Sequence, residues 1–175
     1  GVADAGLLLS RLQGQPVVLL EQIYQHSPLV FITRKDSGIR TPYDLPGKKV
    51  MFDIEGQGDA PLNAMLINTL TNPDKVKIQQ TTFRNTDLFE NKIDAYSAYI
   101  SSQSYAHQKR NEAINIIDPR DYGIDFYGDN FFTTEREIKQ HPERVKRVIR
   151  ATMKGWNYAL NHSDEVIDII LDHYN

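Results

Sequence analysis

Tyrosine, aspartate and glycine recur together in one segment, and these residue types can bind a small ligand. Residues 121–130 contain two Tyr, one Phe and three Asp around two glycines. Aromatic faces stack on flat rings and attract cations, and carboxylates pair with cationic groups. Core packing accounts for some of these aromatic residues, but not for their repeated placement beside Asp and Gly. The composition favours an aromatic and carboxylate box for a flat or cationic ligand.

A second segment, residues 94–99, alternates small residues with tyrosine. Successive side chains of a strand point to opposite faces. The pattern therefore places Tyr96 and Ala98 on one face, and Ala95, Ser97 and Tyr99 on the other.

A glycine-containing loop, residues 56–61, lies between a predicted strand and the start of a predicted helix. Backbone amides in such a loop can hold an anion or the polar edge of a ligand. The loop does not match a phosphate fingerprint, because the third glycine is absent and Asp59 would repel phosphate. A tight turn in which Asp59 caps the helix is the alternative interpretation.

Catalytic and metal-binding patterns receive little support. The five histidines lack metal-binding spacing, and the chain has no cysteine, which excludes disulfides, zinc thiolates, iron–sulfur clusters and cysteine nucleophiles. No nucleophile elbow or Ser-x-x-Lys motif occurs. His26 differs from the other histidines because it precedes Ser27-Pro28 at a strand start, where it could line a site wall. We therefore predict a protein that is not an enzyme and carries no cofactor or metal.

Charge and composition limit the class of partner. Lys plus Arg is 20 and Asp plus Glu is 23, which gives a net charge of −3 over 175 residues. A nucleic-acid partner is disfavoured, because phosphate binding requires a basic surface. With 40% hydrophobic and 25% charged residues the chain is globular. No apolar run is long enough to cross a membrane, and spans outside these residues are left open.

The predicted elements indicate the fold class. Apolar runs bounded by turn residues predict strands at 17–23, 29–33, 48–53, 76–83, 93–100, 114–117 and 130–133. Because helices alternate with these strands, the class is α/β with a largely parallel sheet. From Thr134 onward the chain is predicted to be entirely helical, with Val148, Trp156 and Leu160 among the inward-facing residues of a long helix.

Five segments together carry a family resemblance: residues 1–9, 25–30, 36–47, 93–99 and 121–133. In this order they resemble the thiamine-pyrimidine-precursor-synthesis-like family of periplasmic solute-binding proteins, over essentially the whole chain. Each motif alone is a weak indication of family membership. The order of the five segments along the chain is as specific an indication as the individual motifs. The loop at 121–129 resembles the branch of extracytoplasmic sensor domains in bacterial membrane signalling proteins.

The resemblance implies a type II periplasmic-binding-protein fold, with two α/β lobes, a two-stranded hinge and a ligand in the cleft. Lobe one is expected to contain residues 1–30 and 119–175, and lobe two residues 31–118. The family's usual chain has a strand, a helix and another strand before the position of Gly1. The N-terminal part of lobe one, including one cleft wall, is therefore expected to be missing or supplied by another chain.

Ligand-binding positions follow from the resemblance residue by residue. Including His26, which the residues themselves suggest, the expected set is Asp4, Ala5, His26, Ser27, Pro28, Gly58, Asp59, Tyr96, Tyr99, Tyr127 and Asp129. Acidic residues near the cleft favour a neutral or cationic ligand here. The resemblance implies a family whose ligands include pyrimidines, other small nitrogenous or sulfonate compounds, and related nutrients.

The expected function is small-molecule binding in a periplasmic or extracytoplasmic location, with any membrane tether outside these residues. The leading hypothesis is the ligand-sensing domain of a membrane-anchored signalling protein. The alternatives are the binding component of an ABC transporter, whose partner is a permease, and, less favoured, a pyrimidine-precursor-synthesis enzyme. As far as the resemblance goes, the enzyme branch of the family requires a cysteine-rich motif, and this chain has no cysteine. A ligand-free dimerisation module is a further alternative.

Overall fold

Strands in two separate sheets dominate the computed structural model, which describes residues 1–53, 58–80, 82 and 84–174. The smaller sheet has three antiparallel strands in the order β1-β8-β2. They are β1 (Val2–Ala3), β2 (Val17–Tyr24) and β8 (Gly128–Thr134). This sheet joins the two ends of the chain, because β1 and β2 lie near its start and β8 lies in its last third.

The larger sheet has five strands in the order β5-β4-β6-β3-β7. They are β3 (Leu29–Arg34), β4 (Lys49–Met51), β5 (Lys77–Gln79), β6 (Ala95–Tyr99) and β7 (Ile114–Ile117). β4 is parallel to β5 and β6, whereas β3 is antiparallel to both of its neighbours. The prediction of a largely parallel sheet is therefore wrong for β3 and for the smaller sheet. β3 enters the larger sheet directly from the segment after β2 of the smaller sheet, so no strand–helix–strand crossover sets its direction.

Six helices accompany the sheets in the described part of the chain. They are α1 (Gly6–Leu12), α2 (Ala60–Thr69), α3 (Gln103–Lys109), α4 (Glu135–Gln140), α5 (Pro142–Asn161) and α6 (Ser163–His173). α4 begins as its sequence predicts, because the Thr134 side chain accepts a hydrogen bond from the Glu137 N–H. Past Thr134 the described chain is helical, apart from short helix boundaries, up to His173.

The long helix α5 does not bury its apolar stripe. Val148, Trp156 and Leu160, predicted to face inward, are all exposed. In the described structure no residue of α5 is buried, and Val145 and Ile149 of the same stripe are half-buried.

The hydrophobic core belongs to the larger sheet. The buried hydrophobic side chains identified among the described residues all lie between Leu29 and Ile117. Leu62, Met65 and Leu66 of α2 pack with Phe31 in one cluster, and Tyr96 belongs to a second cluster. β3 has a neighbour on each side, which explains why five of its six residues are buried.

Two chain segments connect the sheets, and they lie against each other. The first runs between β2 and β3, and the second between β7 and β8. The Ser27 N–H donates to the carbonyl of Phe126 over 2.6 Å, and Tyr24 pairs with Gly128. This arrangement fits a two-stranded hinge, while the expected lobe boundaries near residues 30 and 118 stay a prediction. None of the described helices is long and apolar enough to cross a membrane.

Candidate functional site

A cavity of about 690 Å³ opens between α1, β2 and the segment that leads into β8. This size suits a small organic ligand. Three of the predicted site residues, Asp4, Ala5 and Tyr127, are among its lining residues. The remaining lining residues are Leu7, Leu8, Arg11, Val17, Val18, Leu19, Gln22, Asp125, Phe126 and Asn130.

Asp4 lies between β1 and α1, where the two sheets come close to each other. Its Oδ1 accepts a hydrogen bond of 2.9 Å from the Gly6 N–H. Its Oδ2 would lie 3.2 Å from a Cβ atom placed on Gly58, which precedes α2. Burial raises the pKa of Asp4 and the negative charge of Asp129 raises it further, while the Gly6 hydrogen bond lowers it. Asp4 thus links the cavity to the larger sheet.

Asp59 does not use its side chain to cap α2, although it occupies the N-cap position. Its Oδ2 accepts a hydrogen bond of 2.7 Å from the Asp53 N–H, and Ser97 contributes a second, side-chain hydrogen bond. Burial is the main cause of the raised pKa of Asp59, and the charges of Asp53 and Asp4 add to it. Glycine-loop residues 56 and 57 lie outside the described residues.

Asp129 and Tyr99 meet from different sheets. The Tyr99 hydroxyl donates to Asp129 Oδ1 over 3.4 Å. Burial, followed by the charges of Asp129 and Asp4, raises the pKa of Tyr99 to about 12. Asp129 has a φ of 45°, in the left-handed region that costs energy for residues other than glycine. We call Asp4, Asp59 and Asp129 the acidic cluster.

Asn130 was not among the ligand-binding residues predicted from the sequence, although it lies in the segment 121–130 that is rich in Tyr, Asp and Gly. It is 5% exposed and lines the cavity beside Asp4. Its Oδ1 is the buried side-chain atom for which the described part of the chain offers no hydrogen-bond partner. A polar residue directly before the two phenylalanines of a strand was the available signal. Gln22, which pairs with Asn130 across the sheet, was missed for the same reason.

The hinge residues predicted as ligand contacts, His26, Ser27 and Pro28, make contacts within the protein. His26 is largely exposed, and its Nδ1 lies 2.9 Å from both carboxylate oxygens of Asp125. The Ser27 Oγ accepts from the Leu29 N–H. The carbonyl of Pro28 accepts from the Ile100 N–H. None of the three lines the 690 Å³ cavity, so a direct ligand contact for them stays a prediction.

Tyr96 lies apart from the acidic cluster. It is 1% exposed, and its hydroxyl is 2.5 Å from Nε2 of the buried His107. His107 Nδ1 lies 2.7 Å from Glu112 Oε2, so one neutral tautomer can satisfy both ring nitrogens. Burial raises the pKa of Tyr96. The predicted alternation along β6 is present, and it places Tyr96 in the core and Tyr99 toward Asp129.

Comparison with known proteins identifies the family. A family model described as NMT1/THI5 like matches residues 1–166. The protein belongs to the NMT1/THI5-like family. The resemblance to solute-binding proteins drawn from the sequence is thereby confirmed.

Two curated relatives are binding proteins by name. Riboflavin-binding protein RibY of Chloroflexus aurantiacus is 26% identical over 174 residues, covering 97% of this chain and 48% of the relative. The formylaminopyrimidine-binding protein of Halalkalibacterium halodurans is 23% identical over 176 residues, covering 94% and 51%. The chain of this NMT1/THI5-like protein therefore spans about half the length of these relatives.

Solved structures confirm the expected fold. The periplasmic aliphatic sulphonate binding protein SsuA of Escherichia coli aligns over 97% of this chain and 55% of its own, with a TM-score of 0.68 and 16% identity. A ligand-binding component of an ABC-type import system from Staphylococcus aureus aligns over 99% and 60%, with a TM-score of 0.70 and 14% identity. The desulfurization enzyme DSZB has a TM-score of 0.57 at 16% identity, covering 94% and 63%. The NMT1/THI5-like chain thus has the fold of periplasmic substrate-binding proteins, which an enzyme also shares.

Proposed function

We propose that this chain is the ligand-binding part of an extracytoplasmic solute-binding protein that serves an ABC importer. The observation that carries the proposal is the convergence of Asp4, Gly58, Tyr99 and Asp129 from both sheets beside one cavity. The cavity itself is lined by residues between 4 and 22 and between 125 and 130, all on the smaller-sheet side of the hinge. A ligand that extends past Asp4 to Gly58 or Tyr99 would contact both sides. Its binding would therefore favour one hinge angle over others.

Transport receives more support than sensing. Both curated relatives are named as binding proteins, and the Staphylococcus aureus structure is named as a part of an import system. These names favour the transport alternative over the sensor hypothesis, which stays a prediction. An ABC permease partner and a periplasmic location belong to the proposal. Sequencing the full open reading frame tests it, because a downstream kinase or cyclase domain would favour the sensor instead.

A binding role is also favoured over catalysis. The relatives within the family are named for the compounds that they bind, whereas the enzyme with this fold is known here only through distant structural similarity. In the described chain, no group of three or more His, Asp or Glu side chains is arranged to hold a metal ion. We propose that the cavity retains its ligand chemically unchanged.

The central experiment is a thermal-shift assay on the purified chain with riboflavin, a formylaminopyrimidine, an alkanesulfonate and free amino acids. A ligand that binds only the folded state raises the melting temperature. We expect at least one nitrogen-containing compound to do so. No shift with any compound of the panel would contradict the proposed function.

Tyr127 provides the first site variant, because it is about half exposed and lines the cavity. Tyr127→Ala should reduce the ligand-induced shift, since the aromatic wall is lost, while the melting temperature without ligand stays nearly unchanged. The matched control is Tyr105→Ala, a similarly exposed tyrosine of α3 that does not line this cavity. An equal loss of the ligand-induced shift in both variants would show that Tyr127 does not belong to the binding site.

A further inference from the structure

The charges around the cavity are predominantly negative. The charge of Asp129 raises the pKa of Asp4, and the charges of Asp53 and Asp4 raise the pKa of Asp59, in each case adding to the effect of burial. Tyr99 also interacts with Asp4 and Asp129. Carboxylates brought together in partly buried surroundings repel one another, and a cation placed among them relieves the repulsion.

The basic groups near the cavity are already paired. Arg11 is the cationic side chain that lines the cavity, and its Nη1 lies 2.5 Å from Glu135 Oε1. His26, at the hinge, pairs with Asp125. Both pairs are largely exposed, which weakens their field in water. Within the described residues, the acidic cluster therefore has no bridging cation of its own at 4.0 Å or less.

Asn130 gives a second and independent indication. Its Oδ1 is a hydrogen-bond acceptor that is buried without a partner, which is costly in a native structure. It lines the same cavity as Asp4. A ligand that donates hydrogen bonds would satisfy this oxygen, whereas the oxygens of an anionic ligand would face another acceptor.

The other walls of the cavity are apolar. Leu8 of α1 and Phe126 are exposed large hydrophobic residues that line it, and Val17 and Val18 of β2 complete this surface. Burying an apolar ligand body against them is favourable at about 25 cal/mol per Å². The cavity thus combines an apolar half with an acceptor-rich, negatively charged end.

Resting on the proposed function, we infer that the cavity selects a small organic cation, an amine that is protonated at neutral pH and carries a planar apolar body. Its N–H groups donate to Asp4 and to the side-chain Oδ1 of Asn130, and its body lies against Phe126 and Tyr127, all of which line the cavity. Asp129, which precedes Asn130, attracts the cation by its charge. Asp59 adds negative charge from behind without facing the cavity.

A matched set of probes tests this inference: 2-phenylethylamine, 2-phenylethanol and phenylacetate, at millimolar concentration and low salt. They share a phenyl ring and a short chain, and they differ mainly in charge. We expect the amine to bind at least about tenfold more tightly than the alcohol, because hydrogen bonds between charged groups contribute about 1.5–3 kcal/mol. The acid should not bind measurably, as titration calorimetry would show.

Variants of Asp129 and Asn130 test whether these side chains cause the preference for the amine. Asp129→Asn keeps a residue type that tolerates a positive φ and removes the charge. It should reduce amine affinity about tenfold and leave alcohol affinity unchanged. Asn130→Leu removes the unpartnered acceptor and should also weaken amine binding. The matched control, Asp74→Asn in the exposed turn Pro73–Lys75, should bind the amine as the unmodified chain does.

Ligand affinity should also depend on pH. The titratable and charged groups near the amine position are Asp4 before α1, Arg11 on α1, Tyr24 on β2, Asp53 and Asp59 before α2, Tyr99 on β6, and Asp125 and Asp129 before and in β8. Amine affinity should rise as pH increases through the acidic range, because the acidic cluster loses its protons. It should then remain level to neutral pH.

Each outcome decides between two separable claims. Binding of riboflavin or a formylaminopyrimidine without preference for the amine would overturn this inference and leave the proposed function intact. No binding of any compound would contradict both. Stronger binding of phenylacetate, or equal stabilisation by Ca²⁺ alone, would also overturn the inference, because the cavity would then select anions or a metal ion.

Discussion

The surroundings of individual aspartates in this chain shift their pKa values in opposite directions. Asp4 and Asp59 lose water contact, and burial raises the pKa of each. Asp44 is exposed and accepts hydrogen bonds from the backbone N–H groups of Arg40 and Thr41, which lower its pKa. A binding site can therefore be distinguished from a turn by the sign of the shift, although both contain Asp.

The first prediction concerns Asp4→Asn. A carboxyl whose folded-state pKa is raised stabilises the fold below its unfolded pKa, about 3.9, and loses that contribution as pH rises through the folded-state pKa. The Asn variant has no such loss. Its stability relative to the unmodified chain should therefore increase from about pH 4 toward neutral pH. Urea unfolding at several pH values measures the difference.

Asp44→Asn is the control for this prediction, with the opposite sign. A lowered pKa stabilises the fold above the unfolded value, and the contribution disappears as pH falls through the folded-state pKa. This variant should be less stable near neutral pH and should match the unmodified chain in acid. Stability differences that are independent of pH in both variants would refute the assignment of these shifts.

The second prediction compares two tyrosines of β6. Tyr96→Phe leaves the Nε2 atom of the buried His107 without a donor, so it should lower the free energy of unfolding by about 1–3 kcal/mol. Tyr99→Phe removes a hydrogen bond of 3.4 Å near the cavity, and should cost less stability while weakening ligand binding. Guanidinium unfolding and ligand titration separate the two effects. If only Tyr96→Phe weakened ligand binding, Tyr96 and not Tyr99 would belong to the binding site.

Sequence alone identified the residue types of the site better than their individual roles. Period-two alternation separated the faces of Tyr96 and Tyr99, because strand geometry alone determines it. It could not show that the Tyr96 face packs against α3, where His107 lies 11 residues further along the chain. The unpartnered oxygen of Asn130 is likewise invisible in sequence, because it depends on which strands surround β8.

At the scale of elements, the hinge is defined by how closely its two segments approach. A Cβ atom on Gly128 would lie 3.0 Å from the Pro28 Cδ and 3.3 Å from the Ser27 Cα. Neither neighbour is the free end of a flexible side chain. Glycine at this position therefore permits the pairing of β8 with the end of β2.

The third prediction is that Gly128→Ala destabilises the fold by about 1–3 kcal/mol, because an added methyl group must displace a proline ring or backbone. It should also change ligand affinity, since the hinge sets the position of Asp129. Thermal unfolding and ligand titration measure the two effects.

Gly155→Ala in α5 provides the control for the hinge glycine. No heavy atom lies within 4 Å of a Cβ atom built there. Alanine in a helix interior is favoured over glycine by about 0.5–1 kcal/mol, so this variant should be more stable. Stabilisation by both substitutions would show that the hinge tolerates a side chain.

Element boundaries follow from sequence where local chemistry sets them. α4 starts after Thr134, as the prediction of helix from that residue onward requires, and at the 3₁₀ turn Pro42–Asp44 the Thr41 N–H donates locally to Asp44 Oδ2. Strand direction and strand burial were predicted less well, because they depend on distant partners. Residues 17–23 form a near-continuous apolar run that predicts a buried strand, yet Leu19 of β2 is 46% exposed.

At the scale of the whole molecule, the two sheets are unequally stabilised. The buried hydrophobic residues lie around the larger sheet, whereas α1, α5 and α6 expose leucines such as Leu12, Leu160 and Leu171. Regions with few buried contacts open with less free energy than the core. The candidate cavity lies beside the smaller sheet, so we expect a ligand bound there to change the structural ensemble most.

The last prediction is that the 175-residue chain unfolds in two steps. Trp156 is the only tryptophan, lies on α5 and contacts Tyr24 of β2, so its fluorescence reports on the smaller sheet. This signal should change at lower urea than the exchange protection of amides in β3 and β6. Leu66→Ala should cost about 2–5 kcal/mol in the second step, whereas Leu160→Ala, 77% exposed, should change either step by no more than about 0.5 kcal/mol. Coincident transitions by both probes would show instead that the two sheets unfold as one cooperative unit.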